Sequence, residues 1–270
     1  AKAEIPYQLF FGLISFVIYY FFIKGSYKFQ YLLPLMFFFI FTSGFFYWTL
    51  SGLRQSIAIM IFFFSIKFII EKRIYTYILS ILLASLFHTS ALVMLPIYFL
   101  NYLKYNRSII LLLFTISLLF IGNTLFLNIM NQYILSFGNS FDLFSKYSNY
   151  LATSTFQINN ERSSSGLGVL IKIMSIYYII YKSKFILKEF PEVKIYFLLF
   201  VISAISNNLF YSVEIIGRIM NYLYICFPLV MAISLYYSNK TIEKYISLIF
   251  LSIYFLLFLV TTYKTIYTIQ

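Results

Sequence analysis

Long apolar runs recur along this chain, separated by short basic links, and that pattern limits the fold more than any single motif. Runs such as 35–41 and 249–260 do not alternate apolar and polar residues, as the strands of an outer-membrane barrel would. Apolar stretches of roughly 17–25 residues are the length of helices that cross a bilayer. Only 10% of the residues are charged and 62% are hydrophobic. A soluble domain carries about 25% charged residues, so this chain has too few to cover a water-facing surface. The expected class is all-α: a polytopic integral membrane protein, with residues 1–270 forming a single transmembrane domain.

The apolar pattern predicts helices over residues 5–23, 31–48, 57–70, 74–87, 91–103, 108–127, 166–181, 195–210, 218–237 and 245–262, about ten crossings. No signal peptide stands apart from the first of them. The segments 74–87 and 91–103 are short for a full crossing. Residues 128–165 are rich in Asn, Ser and charge. They read as one long outward loop, with an amphipathic helix expected around 141–151. Long ordered loops tend to carry function. No internal repeat is clear enough to argue for an inverted-repeat transporter.

Charge sorts the two sides. The links 24–28, 67–73, 104–107, 182–194 and 240–244 hold thirteen of the twenty Lys and Arg. The positive-inside rule places these links in the cytoplasm, so the net charge of +12 reflects topology and does not call for a nucleic-acid partner. Arg54, His88, the long loop and Arg218 then face outward. A single cysteine, Cys226, excludes an internal disulfide. One histidine and one cysteine cannot assemble a zinc site, and no Walker, GxSxG or HExxH motif is present. Neither a metal nor another cofactor is expected.

Three outward arginines, Arg54, Arg162 and Arg218, sit at or near the starts of inward-running spans. A cation at a helix N-terminus opposes the dipole at a cost of roughly 0.3–1 kcal/mol, and a bound anion removes that cost. Three such positions on one face suit a phosphate or diphosphate. The plainer reading is lipid-headgroup contact, and for Arg218 an ion pair with Glu214 one turn away. His88, followed by Thr89 and Ser90, marks a polar break between two short apolar segments. It reads as a cavity-lining proton acceptor or orienting group, or as a hydrogen-bonded residue at a helix junction. Thr89 or Ser90 is expected to cap the following helix. Lys172, about two turns into its span, either serves function or snorkels to the headgroups. Any carboxylate base would be found among Asp142, Glu161 and Glu214. Asn207, Asn208 and Tyr211 either hydrogen-bond sugar hydroxyls or form a polar turn.

The run Gly52-Leu53-Arg54-Gln55-Ser56-Ile57-Ala58, followed by Leu83-Ala84-Ser85-Leu86-Phe87-His88-Thr89-Ser90-Ala91 and Leu95-Pro96, resembles the EpsG-like branch of the Wzy polysaccharide polymerases. That branch pairs an RQ-x-x-A helix start with an A-x-x-FH-x-S-A hairpin. A Ser-Gly-Leu-Gly after the polar loop and Gly217-Arg218-x-x-x-Tyr222 fit the same pattern. The resemblance implies a metal-independent membrane glycosyltransferase of the bacterial cytoplasmic membrane, similar in plan to the GT-C type. Its substrates would be oligosaccharide repeat units on undecaprenyl diphosphate, as both donor and acceptor. Undecaprenyl diphosphate would leave at the outer face. Besides these and membrane lipid, a chain-length regulator protein is an implied partner. The implied catalytic set is His88, Arg54, Arg218 and Glu214. Arg54, Gln55, Arg162, Lys172, Arg218, Asn207, Asn208 and Tyr222 would bind the diphosphate and glycan. A lipid-linked glycan ligase and a flippase of lipid-linked sugar are the alternatives. A flippase would spread its ionisable groups through the depth of the spans, and here, Lys172 excepted, they gather at one face.

Overall fold

Five basic links separated by long apolar runs can be satisfied only if the chain folds back and forth, and the computed structural model shows this. It describes residues 6–121, 132, 166–210, 214–237 and 241–267. The predicted amphipathic helix around 141–151 and nearly all of the 128–165 loop lie outside them. The described elements are helical, with no strand among them. They comprise α1 (Tyr7–Gly25), α2 (Leu33–Thr42), α3 (Phe45–Ser51), α4 (Leu53–Ile70), α5 (Ile74–Phe87), α6 (Arg107–Leu118), α7 (Gly166–Glu189), α8 (Lys194–Leu209), α9 (Glu214–Tyr224), α10 (Phe227–Tyr236) and α11 (Thr241–Tyr267). Three 3-10 helices, Tyr27–Leu32, Thr89–Tyr102 and Pro191–Val193, join them.

Burial separates a core from a lipid-facing shell. The α4 span is 67% buried, and the Ile216–Tyr236 span formed by α9 and α10 is 72% buried. The α1 window is 17% buried and the α11 window 6%. α4 is therefore the central post. It is apolar nearly all round, as a helix enclosed by others must be. On α11, Leu248, Leu256 and Leu259 remain exposed, which suits acyl chains as solvent. Among the described residues, five helices are long and apolar enough to cross a membrane, or six with one bent pair, and three shorter apolar helices accompany them. The all-α polytopic class holds. The expected count is about ten; among the described residues the full-length spans are fewer, because several predicted segments are short, broken or charged and the 108–127 segment is described only to residue 121.

Each departure has a local cause. The predicted helix 31–48 breaks at Gly44, whose φ of +78° is accessible without strain to a residue lacking Cβ. The chain bends there by 67°. The 218–237 run starts earlier, at Glu214, and is interrupted before Pro228, which sits in the first turn of α10, where proline is tolerated. α7 continues past the predicted end at 181 to Glu189, because Lys182 is buried and paired. The 91–103 segment is a 3-10 helix of fourteen residues containing Pro96. At about 2.0 Å per residue it reaches roughly 28 Å, while the fourteen residues of α5 reach roughly 21 Å. The thinner winding lets a short segment approach the span of a bilayer.

The five basic links converge at one end of the bundle. Lys28 pairs with Glu192 at 3.5 Å. Lys182 donates to Glu243 at 3.0 Å and to the Tyr237 carbonyl at 2.9 Å. Lys194 donates to the carbonyls of Asn101 and Leu103 at 2.8 and 3.1 Å, and Asn101 Nδ2 donates to the Ile69 carbonyl at 3.2 Å. The turn after α4 is closed by Lys72 in the left-handed region, φ 58°, with Arg73 N–H reaching back to the Phe68 carbonyl. This is the Schellman ending expected of a helix that must stop sharply. The described glutamate side chains, Glu71, Glu189, Glu192 and Glu243, all belong to this end. At the opposite end, where α4 begins and α5 stops, the described charged side chains include Arg54 and Arg218.

Candidate functional site

Arg54 is the second residue of α4. Gly52 precedes the helix, and no side chain caps its start. An uncapped N-terminus presents backbone N–H groups and a partial positive charge. Arg54 is exposed, and no ion pair among the described residues engages it. The next residue, Gln55, is buried. Its Nε2 donates to the Arg218 carbonyl at 2.8 Å, so the start of α4 is fastened to α9.

Arg218 is exposed and lies one turn inside α9, which begins at Glu214. The sequence had suggested that Arg218 opens its helix. It does not, so the dipole argument applies to Arg54 and not to Arg218. Four residues further on the same helix, Tyr222 is fully buried, its ring edge-on to Phe62. The Tyr222 hydroxyl stands 3.1 Å from Ser90 Oγ. Ser90 Oγ in turn stands 2.6 Å from Nδ1 of His88.

His88 is extended, φ −153° and ψ 116°, between the end of α5 and the start of the 3-10 helix. It lies outside both. Neither Thr89 nor Ser90 caps the next helix, contrary to expectation; His88 occupies the cap position without a side-chain cap bond. Burial pushes the imidazole pKa below its usual value, and the charges of Arg54 and Arg218 push it the same way. Both arginines are thus close enough to act on His88, and the ring is neutral near neutral pH. A neutral imidazole is a competent proton acceptor.

Other expected residues fall around this cluster. Lys172 is exposed on α7, its ammonium 5.4 Å from the centroid of the Tyr224 ring. It therefore meets the same helix as Arg218, nearer the middle of the bundle. Asn208 Nδ2 donates to Ser117 Oγ at 2.9 Å, and Asn207 Nδ2 to Ser203 Oγ at 3.4 Å. These amides tie α8 to α6 and to its own preceding turn, and neither of these bonds reaches His88. Arg162, Glu161, Asp142 and Tyr211, and the side chain of Glu214, lie outside the described residues. Ser90 was missed as a site residue because a serine after a helix break reads most simply as a cap.

A helical, polytopic membrane protein with two arginines and a neutral histidine gathered at the end opposite its basic links is suited to chemistry on an anionic, membrane-borne substrate. The chain matches the family model of the EpsG family over residues 3–269, and it belongs to that family. Membership places it among polysaccharide-polymerase-type membrane proteins. No curated protein and no solved structure matches it.

Proposed function

We propose that this protein is a glycosyltransferase that polymerises oligosaccharide repeat units carried on undecaprenyl diphosphate. In this reading it works at the outer face of the bacterial cytoplasmic membrane and releases undecaprenyl diphosphate. The observation that carries the reading is the convergence of Arg54, Arg218 and His88 at one end of the bundle. The five links, with their excess of Lys and Arg, lie at the other end. The positive-inside rule assigns that end to the cytoplasm, which leaves the cluster outside, where lipid-linked repeat units would meet it.

In the reaction an acceptor hydroxyl oxygen bonds to the anomeric carbon of the donor glycan, and the bond from that carbon to the diphosphate oxygen breaks. The hydroxyl proton passes to His88. The diphosphate leaves as an anion and needs no proton, because phosphate oxygens carry negative charge readily. Arg54 and Arg218 hold that charge as it grows. Donors placed where charge develops are worth roughly 100- to 1,000-fold each in rate. The open N–H groups at the start of α4 add to the same field. Lys172, deeper in the bundle, assists in holding the diphosphate. In this reading Arg162 joins Arg54 and Arg218 in clamping the diphosphates, the long outward loop closes over the glycan, and Glu214 or Glu161 is the second candidate for the base.

The test is polymer length in a null strain carrying Arg54→Ala, Arg218→Ala or His88→Ala at normal protein levels. The reading predicts loss of the long-polymer ladder for each arginine variant. Wild-type ladders in all three variants would overturn it.

A further inference from the structure

Among the described residues, His88 is held from one side only. Its Nδ1 meets Ser90 Oγ at 2.6 Å, and Ser90 Oγ meets the Tyr222 hydroxyl at 3.1 Å. No hydrogen bond among the described residues engages Nε2. The ring of Tyr222 is fully buried against Phe62, so its hydroxyl stays where the core fixes it. Gln55 holds the same helix through the Arg218 carbonyl. Arg218 and Tyr222 are four residues apart and share a face of α9.

A serine hydroxyl between two heteroatoms has one proton to give. In one arrangement Nδ1–H donates to Ser90, and Ser90 donates to Tyr222. Nε2 then carries a lone pair. In the other, Tyr222 donates to Ser90, and Ser90 donates to Nδ1. Nε2 then carries the proton and cannot accept another. Proton uptake at Nε2 makes an imidazolium, in which both nitrogens donate. Only the first arrangement reaches that state without reversing the two hydroxyls. It is also the one in which Ser90 stabilises the charged ring as an acceptor.

We infer that Ser90, anchored by Tyr222, is a positioning residue that accepts Nδ1–H of His88 and leaves Nε2 as the proton acceptor of the transfer. The catalytic part of this inference rests on the base role proposed for His88. The tautomer itself can be read without any turnover, because the chain contains a single histidine.

The full chain, purified through a histidine-free tag and returned to lipid nanodiscs, would carry isotope-labelled histidine with both ring nitrogens visible to NMR. Near neutral pH the wild type is expected to show Nδ1 protonated and Nε2 bare. Ser90→Ala is expected to drift towards the Nε2–H tautomer that free imidazole side chains favour in water, and Ser90→Thr to keep the wild-type signal. A wild type already protonated on Nε2, or a signal unchanged in Ser90→Ala, overturns the inference. In polymerisation assays Ser90→Ala is expected to lower kcat about 10-fold or more, a part of the roughly 100- to 10,000-fold that general bases contribute, with little change in KM. Its acid limb is expected to move to lower pH, because the imidazolium has lost an acceptor. A fall in activity with an unmoved acid limb would mark a merely structural serine and overturn the positioning role. If His88→Ala remains active while the tautomer signals behave as expected, the base role fails and the Ser90 tether stands.

Discussion

Gln55 Nε2 donates to the backbone carbonyl of Arg218 at 2.8 Å, across 163 residues of sequence. Through this bond the helix that begins with Arg54 and the helix that bears Arg218 hold a fixed spacing. Gln55→Leu keeps the volume and removes the donor, losing one hydrogen bond at a cost of about 1 kcal/mol. The expected result is a rise in KM for the lipid-linked substrate of about 5-fold, with kcat largely retained. Steady-state kinetics on the purified protein check it.

Arg54 and Lys at the same position are not equivalent for a diphosphate. A guanidinium presents a planar fork that binds two oxygens, whereas an ammonium acts as a point charge. Arg54→Lys is expected to keep about one tenth or less of wild-type kcat, and Arg54→Ala to lose roughly 100-fold or more. Thermal stability should barely change, because Arg54 is exposed and joins no ion pair among the described residues. Activity and melting measurements on the same preparations separate the two effects.

The pH dependence follows from His88. Its ordinary pKa is about 6.5, and burial, Arg54 and Arg218 all lower it. The base works only when deprotonated, so kcat/KM should fall as pH drops through a value below the ordinary one. Arg54→Ala or Arg218→Ala removes a repelling charge and raises the imidazole pKa. The acid limb of either variant is therefore expected at higher pH than in wild type, and a rate–pH profile of the residual activity shows it. A limb that moved to lower pH would place the arginines' influence elsewhere.

The two ends of the bundle should respond differently to substitution. Lys182 is 3% exposed and pairs with Glu243 at 3.0 Å, joining α7 to α11. Glu243→Gln leaves a buried ammonium without its counter-charge, and a broken buried pair costs about 3–5 kcal/mol. A marked fall in melting temperature is expected, with any properly folded fraction still active, since the pair lies far from His88. Replacing both partners by apolar residues of similar size should recover much of the loss.

A close approach of α1 and α4 gives a test of packing. A Cβ built on Gly25 would lie 2.5 Å from Cδ1 of Phe63 and 3.1 Å from Cα of Phe64. The second neighbour is backbone and cannot rotate away. Gly25→Ala is expected to destabilise by about 1–3 kcal/mol through overpacking, read as a lower melting temperature in detergent. Gly12, with nothing within 4 Å of its built Cβ, should accept alanine without loss.

Much of this site was legible before any coordinates. Arg54, His88 and Arg218 could be grouped because membrane topology reduces a three-dimensional question to a choice of side, and charge bias answers it. The limits of α5, Ile74–Phe87, match the predicted segment, since basic residues and a polar break bound it sharply. The winding of Thr89–Tyr102 as a 3-10 helix was not legible, because apolar periodicity cannot distinguish it from a short α-helix. The position of Arg218 inside its helix depends on where α9 starts, and helix boundaries are weakly encoded. The Ser90–Tyr222 bond joins residues 132 apart, and nothing local in either segment announces it. For Tyr222 the motif pointed to substrate; the structure shows its hydroxyl turned to Ser90 and its ring in the core.

The central claim is tested most directly by giving the purified chain, in nanodiscs, synthetic repeat units on undecaprenyl diphosphate and following glycan length and free undecaprenyl diphosphate together. The account predicts a ladder that grows by whole repeat units, with one undecaprenyl diphosphate released per linkage formed, and loss of both signals in Arg54→Ala and Arg218→Ala. A folded wild-type protein that binds the lipid-linked unit yet forms no linkage, or one that moves it across the bilayer unchanged, would contradict it.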